Sequence, residues 1–304
     1  MGFEFWLRAA PPFRLDLTAW AVRRRPENRI DVWDGTAYSR VLAIGRTALK
    51  LSVTQASSTR LRVIVAGANP SPSARIEVIS ALDRLLGRRI DLRPFYSFAS
   101  RDARLSRLAQ RFQGLKPPRF PSVFETVVNG IACQQLSLAV GITLLNRLAE
   151  AYGLSLKASG ETRYAFPKPE SLAAATASDL RPLGFSSNKS RALIELASSI
   201  AAGQLDLEHI ASFDDATAIS HLLEIRGVGR WTAEYVLLRG LGRVNIFPGD
   251  DVGARNNLAR WLRLRKELDY GGVRKTLTKW RPYSGLIYFH LLMTSLERSG
   301  YVQP

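Results

Sequence analysis

A chain of 304 residues with 46% apolar and 23% charged residues has the make-up of a soluble globular protein, long enough for two domains and a substantial core. Its 43 Lys and Arg against 26 Asp and Glu leave a net charge of +17, which favours a polyanionic partner, nucleic acid ahead of a membrane surface, unless it serves solubility alone. The single cysteine, Cys133, excludes an internal disulfide and a four-cysteine iron–sulfur cluster, and His209, His221 and His290 have no zinc-ligand spacing.

The opening MGFEFWLRAAPPF is broken by Glu4 and Arg8, so no secretory signal is expected, and Trp6 defeats a myristoylation pattern. No apolar run reaches membrane-spanning length, and a cytoplasmic protein working on DNA in the nucleoid is the expectation. Residues 3 to about 68 alternate apolar and polar positions in short runs: Arg14 to Thr18, Arg29 to Trp33, Ala48 to Val53 and Arg60 to Val65. With a hairpin turn at Asp34-Gly35 and a stop at Gly67-Ala68-Asn69-Pro70, they predict an antiparallel sheet of four or five strands. Ser73 to Leu86 carries Ile76, Ile79, Leu82, Leu85 and Leu86 at helical spacing and ends on Gly87. That helix covers the sheet and closes an α+β domain over residues 1–92.

Residues 93–304 read as helical, the strand signal vanishing from Leu105 onward. Phe124 to Ala151 is one long apolar-striped helix or a closely broken pair. Ser171–Ala175, Ala177–Leu183, Lys189–Ala202 and Asp214–Glu224 follow, and the tail adds Asp251–Leu264, Tyr270–Lys279 and Ser284–Arg298. Pro117-Pro118 and Pro167-Lys168-Pro169 punctuate the run. The fold class is mainly α with an N-terminal antiparallel sheet domain. The charge runs Arg23-Arg24-Arg25 and Arg263-Leu264-Arg265-Lys266 read as solvated surface.

Chemistry concentrates between His221 and Arg255, HLLEIRGVGRWTAEYVLLRGLGRVNIFPGDDVGAR. Ile219, Leu222 and Leu223 keep helical spacing up to a break at Gly227-Val228-Gly229, and a second helix resumes from about Trp231 to Leu241. Glycines at 227 and 229 let main-chain N–H groups approach a bulky anion at the positive end of the second helix. Arg226 and Arg230 flank that point, and a nucleic-acid phosphate is the obvious anion. A bare Gly-Val-Gly is equally an ordinary turn between packed helices. Beyond Pro248-Gly249 stand Asp250 and Asp251, the second placed as a helix N-cap before Val252.

These residues resemble the helix–hairpin–helix with Gly-Pro-rich loop and aspartate of the DNA glycosylase superfamily, within it the bacterial inducible DNA-3-methyladenine glycosylase type. FPSVFETVVNGIACQQLSLAVG (Phe120 to Gly141), LGFSSNKSRALIELA (Leu183 to Ala197) and WRPYSGLIYFHLL (Trp280 to Leu292) extend the resemblance over roughly the last two-thirds of the chain. It implies an N-terminal domain like half of a TATA-binding-protein fold, acting as scaffold without chemistry of its own. Two helical subdomains with a cleft between them complete the implied fold.

The resemblance also assigns roles. Asp251 is implied as the catalytic carboxylate, stabilising the positive charge that N-glycosidic cleavage leaves on the sugar of a flipped-out nucleotide and orienting water; Asp250 is a loop or cap residue. Trp231 stands where strand-cutting relatives carry a Schiff-base lysine, so base removal by water without lyase activity is expected. Trp231 and Tyr235, four apart on one helical face, form the implied base pocket with Trp280 and Gln134, and their electron-rich rings suit cationic alkylated bases. Gln135 takes the place of the wedge that fills the vacated duplex. Arg226, Gly227, Val228, Gly229 and Arg230 grip phosphate, and the carbonyls of Leu223, Ile225 and Val228 hold a monovalent cation. By their own positions, Lys189-Ser190-Arg191 mark a helix start open to phosphate or solvent, Arg255 is placed either for backbone phosphate or for pairing with Asp251, and Cys133 reads as a packed small residue. The implied protein is a monofunctional glycosylase for alkylated purines of the 3-methyladenine and 7-methylguanine type. It acts as a monomer on duplex DNA containing damaged bases, with no cofactor beyond that structural cation. A glycosylase for oxidised or deaminated bases and a non-catalytic DNA-binding module remain as alternatives.

Overall fold

In the computed structural model, which describes residues 2–67, 73–158 and 160–304, the chain opens with β1 (Phe3–Arg8) and α1 (Leu15–Arg23). Strands β2 (Val32–Trp33), β3 (Ala37–Ile44), β4 (Thr47–Ser57) and β5 (Arg60–Ala66) follow, and all five strands form one antiparallel sheet in the order β1-β5-β4-β3-β2. The register places Phe5 opposite Val63 and Val63 opposite Val53, so one face collects Phe5, Leu7, Leu51, Val53, Leu61, Val63 and Val65 in a buried layer. Helix α2 (Ala74–Leu86) lays Val78, Leu82 and Leu85 on that layer and stops at Gly87, whose φ of 52° is the left-handed C-cap predicted for it. The predicted turn at Asp34-Gly35 forms, with Asp34 Oδ1 accepting from Thr36 N and Ala37 N at 2.8 Å each. Of the predicted stop at 67–70, residues 68–70 lie outside the described residues.

Two of the predicted strands are corrected. Residues 14–18 begin a helix rather than a strand, because α1 is buried on two sides. Leu15, Ala19 and Val22 meet the sheet layer, while Leu17, Trp20 and Ala21 meet Phe112, Phe289 and Met293. A helix apolar on both faces loses its 3.6-residue period and mimics alternation. Of residues 29–33 only Val32 and Trp33 pair in the sheet.

Helices α3 (Arg93–Ala99) and α4 (Ala103–Arg111), not anticipated as elements, lead into α5 (Val123–Cys133) and α6 (Leu138–Tyr152). The long apolar stretch is thus a broken pair, hinged at Gln134 to Ser137. Contrary to the reading of the chain beyond Leu105 as free of strands, strands recur there as a hairpin of β6 (Ser155–Ala158) and β7 (Glu161–Tyr164). Its four-residue strands are too short and too polar for a period-2 signal. Next come α7 (Pro169–Ala173), α8 (Ser187–Ala201), α9 (Asp215–Leu223) and α10 (Arg230–Arg239), with turns instead of the predicted helix at 177–183. The chain ends with α11 (Val252–Leu262), α12 (Tyr270–Leu277) and α13 (Ser284–Arg298).

Helices α5 to α10 share one core, from Val123 to Leu237. Helix α10 is its axis: Thr232 to Arg239 are all buried, and Gly130 of α5 lies so close that an added Cβ would sit 2.7 Å from Thr232 Cγ2. Helices α3, α4, α11, α12 and α13 form another core around Phe95, Leu258 and Ile287. The site lies where these two helical bodies and α1 converge. No helix among the described residues is long and apolar enough to cross a membrane.

Candidate active site

A cleft of about 1090 Å³ opens between the two helical bodies. The hinge between α5 and α6, the hairpin between α9 and α10, the first turns of α10 and α11, one stripe of α13 and the end of α1 line it.

Asp251 is the N-cap of α11. Its Oδ1 accepts from Ala254 N at 2.8 Å, which fixes the carboxylate against the helix N-terminus. Oδ2 faces the cleft, accepting from Tyr288 Oη at 3.2 Å, with Trp231 Nε1 3.5 Å away. Burial and then the Asp251 charge push the Tyr288 hydroxyl well above the usual phenol range, so it stays a donor. The preceding loop is stapled to α10 twice. Glu234 accepts from Gly249 N at 2.8 Å and Tyr270 Oη at 2.6 Å, and Arg230 pairs with Asp250 at 2.6 Å while stacking on Tyr270 at 3.8 Å. Burial raises the Glu234 carboxyl above its ordinary range. Asp250, expected only as a loop or cap residue, therefore anchors Arg230.

The hairpin has the shape its glycines predict. Gly227 takes a φ of 80° and leaves room for Ala192, while a Cβ at Gly229 would meet nothing. Gly229 caps α10 without a side chain, and no acidic residue stands in the first turn, so the protein's own side chains do not cap the N–H groups there, the arrangement anion-binding helix starts share. Val228 packs into the core, and Arg226 reaches Glu195 at 2.6 Å across the hairpin's flank. Leu223 ends α9, placing its carbonyl beyond that helix's own ladder, and Ile225 O accepts from Val228 N at 3.0 Å. Those peptide oxygens, at the negative end of α9, suit a hard monovalent cation.

Gln135, exposed with a φ of 53°, stands at the tip of the α5–α6 hinge. Gln134 points inward, donating to Gly227 O at 2.7 Å and Thr232 Oγ1 at 2.8 Å, so the hinge is tied to the hairpin. Lys189 ties it to α8: Nζ donates to Ala132 O at 2.9 Å and Gln134 O at 2.7 Å. Lys189 is thus spent on the hinge. Cys133 packs on Gly141, where a Cβ would come within 2.6 Å of Sγ.

Trp231 lies on the cleft wall, its ring 5.6 Å from that of Tyr235, which also lines the cleft. Trp280 does not belong there. It is 3% exposed in the α11–α13 core, packed on Trp261 at 5.0 Å, with Nε1 donating to Asp102 at 3.2 Å. The arginine run at 23–25 is not solvated surface either. Arg24 is 6% exposed, donates to Tyr235 Oη at 3.0 Å and Asn129 Oδ1 at 2.6 Å, and lines the cleft with Arg25. The N-terminal region, expected to act mostly as scaffold, therefore contributes Arg24 and Arg25 to the cleft lining. Tyr288 was the other omission. Tyr288, Leu291, Leu292, Ser295 and Ser299 recur at helical spacing, a stripe readable in the sequence once α13 is drawn.

The family model for the HhH-GPD superfamily base excision DNA repair protein matches residues 128–282, half of the chain, a stretch that spans the α5–α6 hinge, the hairpin, α10 and α11 but not α1 or α13. The chain belongs to that superfamily. A DNA-3-methyladenine glycosylase of Bacillus subtilis is 29% identical over 255 residues, 83% of this chain and 84% of its own. Among solved structures, a 3-methyladenine DNA-glycosylase from Archaeoglobus fulgidus superposes with a TM-score of 0.81 at 24% identity, covering 97% of this chain and 98% of that one. An 8-oxoguanine glycosylase/lyase of Clostridium acetobutylicum, in complex with double-stranded DNA, superposes with a TM-score of 0.76 at 19% identity and 98% coverage of both chains. At such identities the structural likeness establishes the fold.

Proposed function

We propose that the protein is a monofunctional DNA glycosylase that excises alkylated purines, of the 3-methyladenine and 7-methylguanine type, from duplex DNA. The observation that carries this is Asp251, a carboxylate fixed by its helix and turned into a cleft roomy enough for a whole nucleotide, beside an uncapped hairpin helix. The hairpin N–H groups, with Arg226 and Arg230, would hold a backbone phosphate, and carbonyls of Leu223, Ile225 and Val228 would hold a monovalent cation that adds positive charge there. Gln135 would enter the duplex as the nucleotide turns out, and the base would stack on Trp231 with Tyr235 behind it. The N9–C1′ bond then breaks with its electron pair leaving on the base. Asp251 stabilises the positive charge at C1′, and water adds there, giving its proton to the carboxylate and thence to solvent. A base already cationic from ring alkylation departs neutral, so little acid assistance is required. Among the described residues lining the cleft there is no lysine, which supports hydrolysis without a Schiff base. We take the protein to act as a monomer.

The test is release of methylated base from treated duplex DNA by wild type and Asp251→Asn. A loss of 100-fold or more with DNA binding retained is expected, on the scale of removing one electrostatic stabiliser. Equal inactivity of both proteins would favour a binding module, and strand nicking by wild type would contradict the role given to Trp231.

A further inference from the structure

The floor of the cleft carries a charge that excision of a cationic base does not call for. Arg24 comes from the N-terminal domain, just beyond α1, in the left-handed conformation (φ 62°) that turns it beneath the cleft. It is 6% exposed and lines the cleft with Cys133, Tyr235 and Tyr288. Its hydrogen-bond partners are neutral: Nη1 donates to the Tyr235 hydroxyl and Nη2 to the Asn129 amide oxygen. Nε–H is buried and meets no acceptor. A guanidinium remains charged in a protein interior, and a buried charged donor without an acceptor is costly. Nε itself is closed off, with Cζ 5.4 Å over the Phe120 ring, so a ligand meets the guanidinium only where Arg24 lines the cleft; an oxygen there gives this unneutralised charge an acceptor, and an N–H₂ group or a further positive charge does not.

We propose that Arg24 is a specificity-determining residue that ranks purines by the group on their six-membered ring, placing keto purines above amino purines. The proposal rests on the reading of this cleft as the base pocket. Guanine-type bases carry an O6 acceptor where adenine-type bases carry an N6 amino donor. A site built to donate to an oxygen rejects the analogue lacking it far more strongly than an apolar wall can. 7-Methylguanine and 3-methyladenine are both cationic in DNA, so overall charge is the same in both, and the change in their ratio between wild type and an Arg24 variant cancels the differences in methyl position and at C2. In a neutral keto purine such as hypoxanthine the departing base gains negative charge as the bond breaks, and the same guanidinium stabilises it.

The experiment is single-turnover release of 7-methylguanine and 3-methyladenine from duplex DNA, each divided by its spontaneous rate, for wild type, Arg24→Gln and Asn129→Asp. Arg24→Gln is expected to slow 7-methylguanine release about tenfold or more and 3-methyladenine release less than about threefold. Asn129→Asp keeps the arginine but pairs it with a carboxylate, and is expected to lower the same ratio. That second variant decides the matter if Arg24→Gln does not fold. A parallel fall for both bases, or an unchanged ratio in both variants, overturns the role of Arg24 while leaving the glycosylase reading intact. Release of neither base by wild type overturns both.

Discussion

At the scale of single residues, the arrangement around Asp251 divides labour between its two oxygens. Oδ1 is held by the helix it caps, and Oδ2 is presented to the cleft by Tyr288. Because the phenol's pKa is pushed far up, Tyr288 donates across the whole working range and adds no inflection of its own to a pH profile. Removing that hydroxyl leaves the carboxylate in place but less constrained. Tyr288→Phe is expected to slow base release by roughly 10- to 150-fold, the rate equivalent of the about 1.5–3 kcal/mol carried by a hydrogen bond to a charged group. DNA affinity and thermal midpoint should stay near wild type. Single-turnover kinetics beside a binding titration check this, and a matching loss of affinity would show that the hydroxyl serves docking instead.

At the scale of elements, the α5–α6 hinge is the part whose position matters most and is least self-supporting. Four hydrogen bonds hold it, two from Gln134 to the hairpin side and two from Lys189. Lys189 also places a positive charge at the C-terminal end of α5, where the helix dipole favours it. Lys189→Ala is expected to cut excision from duplex DNA about tenfold, since small misplacements of positioning groups carry costs of that order and above. Excision from a single-stranded oligonucleotide, where no base pair has to be opened, should be unchanged; equal losses on both would assign Lys189 to general stability. The sequence made the hairpin, the Asp251 cap and the hinge legible because each depends on residues within a few positions of one another. Arg24 and Tyr288 were not legible, because only tertiary packing turns an arginine run inward and aims one helix stripe at a distant carboxylate. Trp280 erred in the opposite direction: an aromatic beside a matching stretch was drawn into the core by Trp261 and Asp102. The strand read at 14–18 failed for a related reason, two buried faces erasing the helical period of α1.

At the scale of the whole molecule, a site that takes Arg24 from one domain and Asp251 from another works only if the domains are locked together. The lock is electrostatic as well as apolar. Arg40 of β3, 1% exposed in its side chain, donates to Asp31 at 2.9 Å and to Glu125 of α5 at 2.6 Å, while Tyr38 donates to Asp31 at 2.6 Å. Burial raises the Glu125 carboxyl, so its charge depends on the arginine beside it. Around this triad Ile30 enters the helical core and α1 packs on α13. Arg40→Met would strand two carboxylates in a dry interface, a change that typically costs about 3–5 kcal/mol, whereas replacing all three charges by apolar residues of similar volume in a Tyr38→Phe background, so that no hydroxyl loses its acceptor, is expected to be close to neutral. Urea denaturation followed by tryptophan fluorescence should show a midpoint lowered in Arg40→Met and restored in the triple replacement. Excision of keto purines should follow the same order, because loosening the sheet domain withdraws Arg24 from the cleft floor. A single variant as stable as wild type would mean that apolar packing alone joins the domains.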